Sequence, residues 1–166
     1  MTVETSRIRL EPITAELARS IVARDERPGD AWHPEYPFAD ELDVLRRVAE
    51  STELHPVFGA YLVRRSSDGL AVGGLGFFGP PDEQGEVEFG YGLVPSARGH
   101  GLATEAVRAA LTHAATHGAR RAAAETEIGN HASRRVLEKA GLVEVRRDGD
   151  IIRFERDLSP EVGSPT

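Results

Sequence analysis

The chain contains no cysteine. Disulfides, thiolate nucleophiles and cysteine-ligated zinc are therefore excluded. Lysine occurs once, at Lys139, against many arginines, a bias that fits a GC-rich coding sequence better than a function. No apolar run is long enough to cross a bilayer. Met1–Leu10 is charged and lacks the apolar block of a signal peptide, so a cytoplasmic address and no membrane partner are expected. No Gly-Lys-Ser/Thr occurs, which removes the nucleotide-triphosphate loop. A surplus of positive charge is missing too: the formal net charge is −7. That speaks against nucleic acid, whose phosphates want a basic face. What remains is 166 residues with 40% hydrophobic content, enough to bury a core without staples. One domain is expected over 1–158, with 159–166 a disordered tail.

The informative stretch is Gly85–Leu111. From Glu86 to Val94, residues Val87, Phe89, Tyr91 and Leu93 alternate on one face, as in a strand. Pro95 ends it, having no ladder donor. Arg98-Gly99-His100-Gly101-Leu102-Ala103 then opens a helix with Leu102, Ala106, Ala109 and Ala110 at helical spacing. Glycines leave backbone N–H groups uncovered, and a helix N-terminus adds unpaired donors and about half a positive charge. Such a turn can seat a phosphate or pyrophosphate.

The remaining elements follow in order. Arg7–Leu10 reads as a strand, and Thr14 caps a helix to about Asp25. The Pro-rich loop Arg27–Phe38 carries Trp32 and Tyr36, which either line a substrate pocket or anchor the loop to the core. Asp40 is placed as the cap of a helix to Glu50. Val57–Arg64 and Leu70–Phe78 form a hairpin that feeds the central strand. Gly118 ends the central helix, Arg120–Glu127 is a strand, and Asn130 caps a helix to Ala140 with Ala132, Val136 and Leu137 inward. Leu142–Arg147 and Ile151–Leu158 close as a hairpin, an edge on which a homodimer could extend the sheet. The order β-α-α-β-β-β-α-β-α-β-β is a mixed α+β fold.

Gly99-His100-Gly101-Leu102-Ala103-Thr104 comes close to the dinucleotide fingerprint, so an NAD-binding protein is one reading. That fold needs repeated parallel βαβ units, and only one clear unit is present here. His113 and His117 share a helix face at i, i+4 without a third ligand, so no metal is expected.

Arg98–Ala103 also resembles the R/Q-x-x-G-x-G/A acetyl-coenzyme A signature of GCN5-related N-acetyltransferases (GNAT). With Glu88-Phe89-Gly90-Tyr91 before it, it is similar to the branch that acetylates ribosomal-protein N-termini. Asn130–Leu142, containing Asn130, Ser133, Leu137, Glu138, Lys139 and Gly141, resembles that branch's N-x-x-S-x-x-x-L-E-K-x-G-F motif. Arg7–Pro12 is a third, weaker likeness.

The resemblance implies a central, mostly antiparallel sheet of about six or seven strands with about four flanking helices. It also implies direct acetyl transfer from acetyl-CoA to a primary amine, either a protein N-terminus or a small molecule. A non-catalytic acyl-CoA sensor is the alternative. Cofactor contacts are expected from the N–H groups of Arg98, Gly99, His100, Gly101, Leu102 and Ala103, from Leu93 and Val94 on the splayed strand, and from Asn130 and Ser133. One N–H of Leu93 or Val94 would polarise the thioester carbonyl. Glu88 aligns with the branch's base; its other reading is a solvent-facing glutamate beside Glu86. Leu137 stands where many relatives carry a tyrosine acid, and Ser133 aligns with the residue that the ribosomal branch places beside the leaving sulfur; its other reading is a helix-cap or first-turn serine.

Overall fold

A computed structural model describes residues 2–158; the tail expected at 159–166 lies outside the described residues. In chain order the elements are β1 (Val3–Glu4), β2 (Ile8–Pro12), α1 (Ala15–Val22), α2 (Ala39–Glu50), β3 (Ala60–Arg65), β4 (Ala71–Phe77) and β5 (Glu86–Leu93). A single 3-10 turn, Pro95–Ala97, leads to α3 (Leu102–Thr116), β6 (Arg121–Glu127), α4 (His131–Lys139), β7 (Val143–Asp148) and β8 (Ile151–Asp157). The expected order holds, with the two-residue β1 added at one edge. The sheet therefore has eight strands, ordered β1-β2-β3-β4-β5-β6-β8-β7.

Boundaries moved where local chemistry competes. Thr14 caps α1 by accepting from Leu17 N, but the helix stops at Val22. Phe38, not Asp40, is the cap residue of α2, and Asp40 joins Glu41 in its first turn. β3 begins at Ala60 rather than Val57. Ala132 is exposed instead of inward, because Leu137 alone of α4 is fully buried.

Every neighbouring pair is antiparallel except β5 and β6. That one parallel pair does not supply the repeated βαβ units of a dinucleotide fold. Phe89 and Tyr91 of β5 lie opposite Phe77 and Leu75 of β4. Tyr91 reaches Ser133 of α4, and Tyr61 of β3 meets His113 of α3 edge-on. This face of the sheet therefore carries α3 and α4, and buries Leu75, Phe77, Phe89, Val107 and Leu111. The opposite face takes α2, whose Glu41 lies against Gly74 while Phe38 lies against Gly92. At the far edge all six residues of β7 are exposed.

Candidate active site

β5 and β6 pair only from Glu86–Arg121 to Glu88–Ala123. Beyond Glu88 the two strands part, and β6 continues with β8 alone. Phe78 N donates to Glu88 O and Val94 N to Val72 O. Alternation then points the backbone groups of Phe89, Tyr91 and Leu93 into the wedge left by β6. Leu93 O accepts from Arg98 Nε at 2.9 Å. Val94 does not fit its expected role: its N–H is used by Val72, its carbonyl accepts from Ala97 N, and it is fully buried. Leu93 alone of the two offers an N–H to the wedge.

The turn after β5 has the anticipated form except at Arg98, whose N–H donates to Pro95 O and so is not among the free donors. Gly99 and Gly101 take φ of +82° and +80°, the left-handed region that side chains disfavour. Gly101 caps α3 without a side chain. Among the described residues, no protein acceptor takes the N–H groups of residues 99–104; the first amide of α3 to bond is Glu105 N, to Gly101 O. The turn is braced from behind. Arg7 donates Nη1 to His100 O at 2.8 Å and Nε to Glu105 Oε1 at 2.8 Å, and Thr5 Oγ1 hydrogen-bonds Glu105 Oε2. Six adjacent donors are thereby held open by bonds made elsewhere. The His100 side chain is exposed and contributes only backbone. Arg98 sits over the Phe38 ring at 5.8 Å and ties turn to strand.

Asn130 Oδ1 accepts from Ser133 N at 3.1 Å, so both residues form the start of α4. Ser133 is also paired with Tyr91: the two hydroxyls are 2.9 Å apart. Burial raises the Tyr91 hydroxyl above its usual value, with the Ser133 bond pulling the other way. At neutral pH it keeps its proton. Sequence alone read Tyr91 as a core-facing strand residue, and alternation gave no sign of its hydroxyl partner.

A cavity of about 570 Å³ joins these parts. The turn (Arg98, Gly99 and Gly101–Thr104), Tyr91, Leu93, Asn130 and Ser133 line it, and Arg135 and Lys139 of α4 add positive charge. Tyr36 lines it as well, whereas Trp32 does not. Trp32 is buried, packs edge-on against Tyr36 at 6.2 Å and bridges to Ala71, so it anchors the loop.

Glu88 is also not among the lining residues. Its carboxylate is 3.2 Å from Arg153, which holds Glu86 at 3.0 Å and Glu155 at 2.9 Å as well. That pair engages Glu88 Oε1, on a side chain that is 38% exposed.

Asp40 and Glu41 of α2 both line the cavity; Asp40 is exposed, and the acid that lies inward is Glu41. Both its oxygens are buried, close to the Tyr36 hydroxyl and the Gly74 N–H but outside good hydrogen-bond geometry. Burial pushes its carboxyl up to about 8; Tyr36 and the Gly74 N–H draw it down in part. The acid is neutral in the folded protein up to about that pH, yet ionised in the unfolded chain above 4.5. Unfolding then releases a proton in this window, so stability is expected to fall as pH rises from 4.5 through 8. Glu41→Gln should remove that slope. Thermal melts of both proteins at about pH 5 and about pH 9 measure it, and a Tm difference independent of pH would contradict it.

Residues 7–143 match the Acetyltransferase (GNAT) domain family. The chain belongs to the GNAT acetyltransferase family. Over 148 residues, covering 84% of this chain and 88% of the relative, it is 28% identical to the uncharacterized N-acetyltransferase YjdG of Bacillus subtilis (strain 168). RimL, a ribosomal L7/L12 alpha-N-protein acetyltransferase in complex with coenzyme A, is similar in fold at TM-score 0.68 and 19% identity, covering 95% of this chain and 98% of that one. So is the ribosomal-protein-S5-alanine acetyltransferase of Vibrio fischeri, at TM-score 0.68 and 18% identity over 99% and 100% of the two chains.

This GNAT protein is accordingly an acetyl-CoA-dependent N-acetyltransferase. Among the described residues no group of side chains could hold a metal ion, and no helix is long and apolar enough to cross a membrane.

Proposed function

We propose that the protein moves an acetyl group from acetyl-CoA directly to a primary amine, with the diphosphate seated on the N–H groups of residues 99–104. The observation that carries this reading is that run of donors, left without protein acceptors around two positive-φ glycines. A helix N-terminus favours an anion there, and Arg135 and Lys139 supply further charge along α4.

The wedge between β5 and β6 fits the pantetheine arm, with Leu93 N–H aimed at the thioester oxygen. A donor in that role is often worth about 3 kcal/mol. Bound acetyl-CoA supplies the activated acetyl group. Tyr91 and Ser133 hold a proton at the start of α4 and can pass it to the departing sulfur. A thiolate leaves readily near its pKa of about 8.5, so loss of this pair should cost less than loss of Leu93's alignment.

The acceptor is an amine of either kind. The ribosomal-protein acetyltransferases among similar folds make a protein N-terminus the first candidate and a small amine the second. A homodimer would form by adding a strand at β7, where Val143 and Val145 are exposed.

Thermal-shift titration tests the reading. Acetyl-CoA at about 100 times its Kd should stabilise by about 2.7 kcal/mol, a Tm rise of about 5–10 °C for a chain of this size, and NADH should give none. A shift with NADH alone would sink the assignment. Coenzyme binding without acetylation of any amine or peptide would favour the sensor.

A further inference from the structure

The charged residues of the cavity are sorted by wall. Asp40 and Glu41 belong to α2, whereas Arg98, Arg135 and Lys139 belong to the turn and α4. Arg98 is already engaged, with Nε on Leu93 O and its guanidinium over Phe38. Two cations remain. Ala132, Arg135, Val136 and Lys139 all line the cavity, and that spacing is one stripe of a helix. Arg135 and Lys139 are therefore neighbours on it, one turn apart.

Nothing in the fold asks for this pair. Like charges at i, i+4 weaken a helix. Among the described residues neither side chain has a hydrogen-bond or ion-pair partner, although Glu138 stands three positions after Arg135. Arg134, off the stripe, is different: its Nη1 donates to Ile128 O at 3.0 Å. A cation near a helix C-terminus is ordinarily favourable, but that end of α4 is already served. Arg108 Nη2 donates to Lys139 O at 2.5 Å and Arg156 Nη1 to Ala140 O at 3.1 Å. Meanwhile the chain carries a net −7, so an anionic ligand needs a local cationic surface to approach.

Coenzyme A carries two separate phosphate groups. Its diphosphate is matched by the N–H groups of residues 99–104. The monoester on its ribose 3′-oxygen bears close to two negative charges at neutral pH, and the turn has no further donors for it. We propose that Arg135 and Lys139 hold this 3′-phosphate, so that the protein selects acetyl-CoA over acetyl-dephospho-CoA. The inference rests on the acetyl-transfer reading above and names the part of the coenzyme that α4 recognises. Arg135 brings a planar fork of donors and Lys139 a compact charge. Both heads are carried on long stems from adjacent turns and converge on one monoester. They contribute to binding and selection; acetyl transfer takes place at the other end of the coenzyme.

Calorimetric titration with acetyl-CoA and with acetyl-dephospho-CoA decides the matter. It uses wild type, the double variant Arg135→Gln/Lys139→Gln, and Arg134→Gln. Wild type should bind acetyl-CoA about 30-fold more tightly than the dephospho form, the effect of charge-assisted hydrogen bonds to one phosphate. In the double variant that ratio should fall below about threefold, through weaker binding of acetyl-CoA, with the dephospho affinity changed by less than about threefold. Arg134→Gln removes a charge from the same helix but not from the stripe, and should keep the ratio.

Equal wild-type affinities for the two thioesters would overturn the proposal and leave the coenzyme reading standing. So would a ratio that survives in the double variant, or equal losses on both thioesters, which would place the charges on the diphosphate. Loss of the ratio in Arg134→Gln would overturn it too, by making net charge the cause. A wild type that binds neither thioester would instead overturn the coenzyme reading on which the proposal rests.

Discussion

Gly73→Ala is expected to destabilise the protein by about 3 kcal/mol, the upper end of ordinary overpacking. The added Cβ would stand 2.1 Å from Gly92 O and 2.8 Å from Leu93 Cδ2. Both neighbours are in β5, and the first is backbone, which cannot rotate away. Relief requires β5 to shift from β4, and with it the Leu93 N–H that faces the wedge. Whatever folds should therefore bind acetyl-CoA yet transfer acetyl slowly.

Gly76→Ala is the matched control, since its nearest neighbours lie at 3.7 Å, an ordinary contact. Its stability should change by no more than about 1 kcal/mol, and upward is allowed because alanine restrains the unfolded chain. Urea unfolding of the two variants separates them. Equal stabilities would refute the close approach at Gly73.

Local chemistry in the sequence reached the turn but not the far wall of the cavity. The β5–turn–α3 unit was legible because Pro95, two glycines and a switch from alternating to helical spacing fall within one short stretch. Asn130 and Thr14 were legible as caps for the same reason: each acts on a residue three positions on. Tyr91 and Ser133 are 42 positions apart and touch only because β5 and α4 share a sheet face. Period-2 spacing put Glu88 opposite Tyr91 correctly, yet could not say that Arg153, 65 positions away, would occupy it. Glu41 was hidden by its helix. An acid in the first turn of α2 looks like a favourable dipole partner, and only the packing of that turn on Gly74 shows it buried. Trp32 misled in the other direction, since an aromatic in a Pro-rich loop fits an anchor as well as a pocket wall.

Arg153→Met is expected to cost about 3 kcal/mol near neutral pH, the low end of what removing one partner of a buried charge pair costs. The Arg153 side chain is only 12% exposed, and it bonds Glu155, Glu86 and Glu88 with Glu125 at 3.8 Å. Hydrogen bonding to Glu155 leads in raising its already high pKa; burial opposes this, and Glu86 and Glu88 add to it. Without the guanidinium, four carboxylates gather around an apolar side chain and repel one another. Each retains some water, which keeps the penalty from the top of the range. Acidification should shrink the loss, because protonated carboxyls no longer repel.

Glu88→Gln in the Arg153→Met background should restore part of the stability. A double-mutant cycle is then expected to give a coupling of about 1 kcal/mol or more. Chemical denaturation of the four proteins at two pH values measures all of this. Additive effects would mean that Arg153 does not hold Glu88, and would return that carboxylate to contention as the base. Coupled effects with near wild-type turnover in Glu88→Gln would leave it as part of the strand framework.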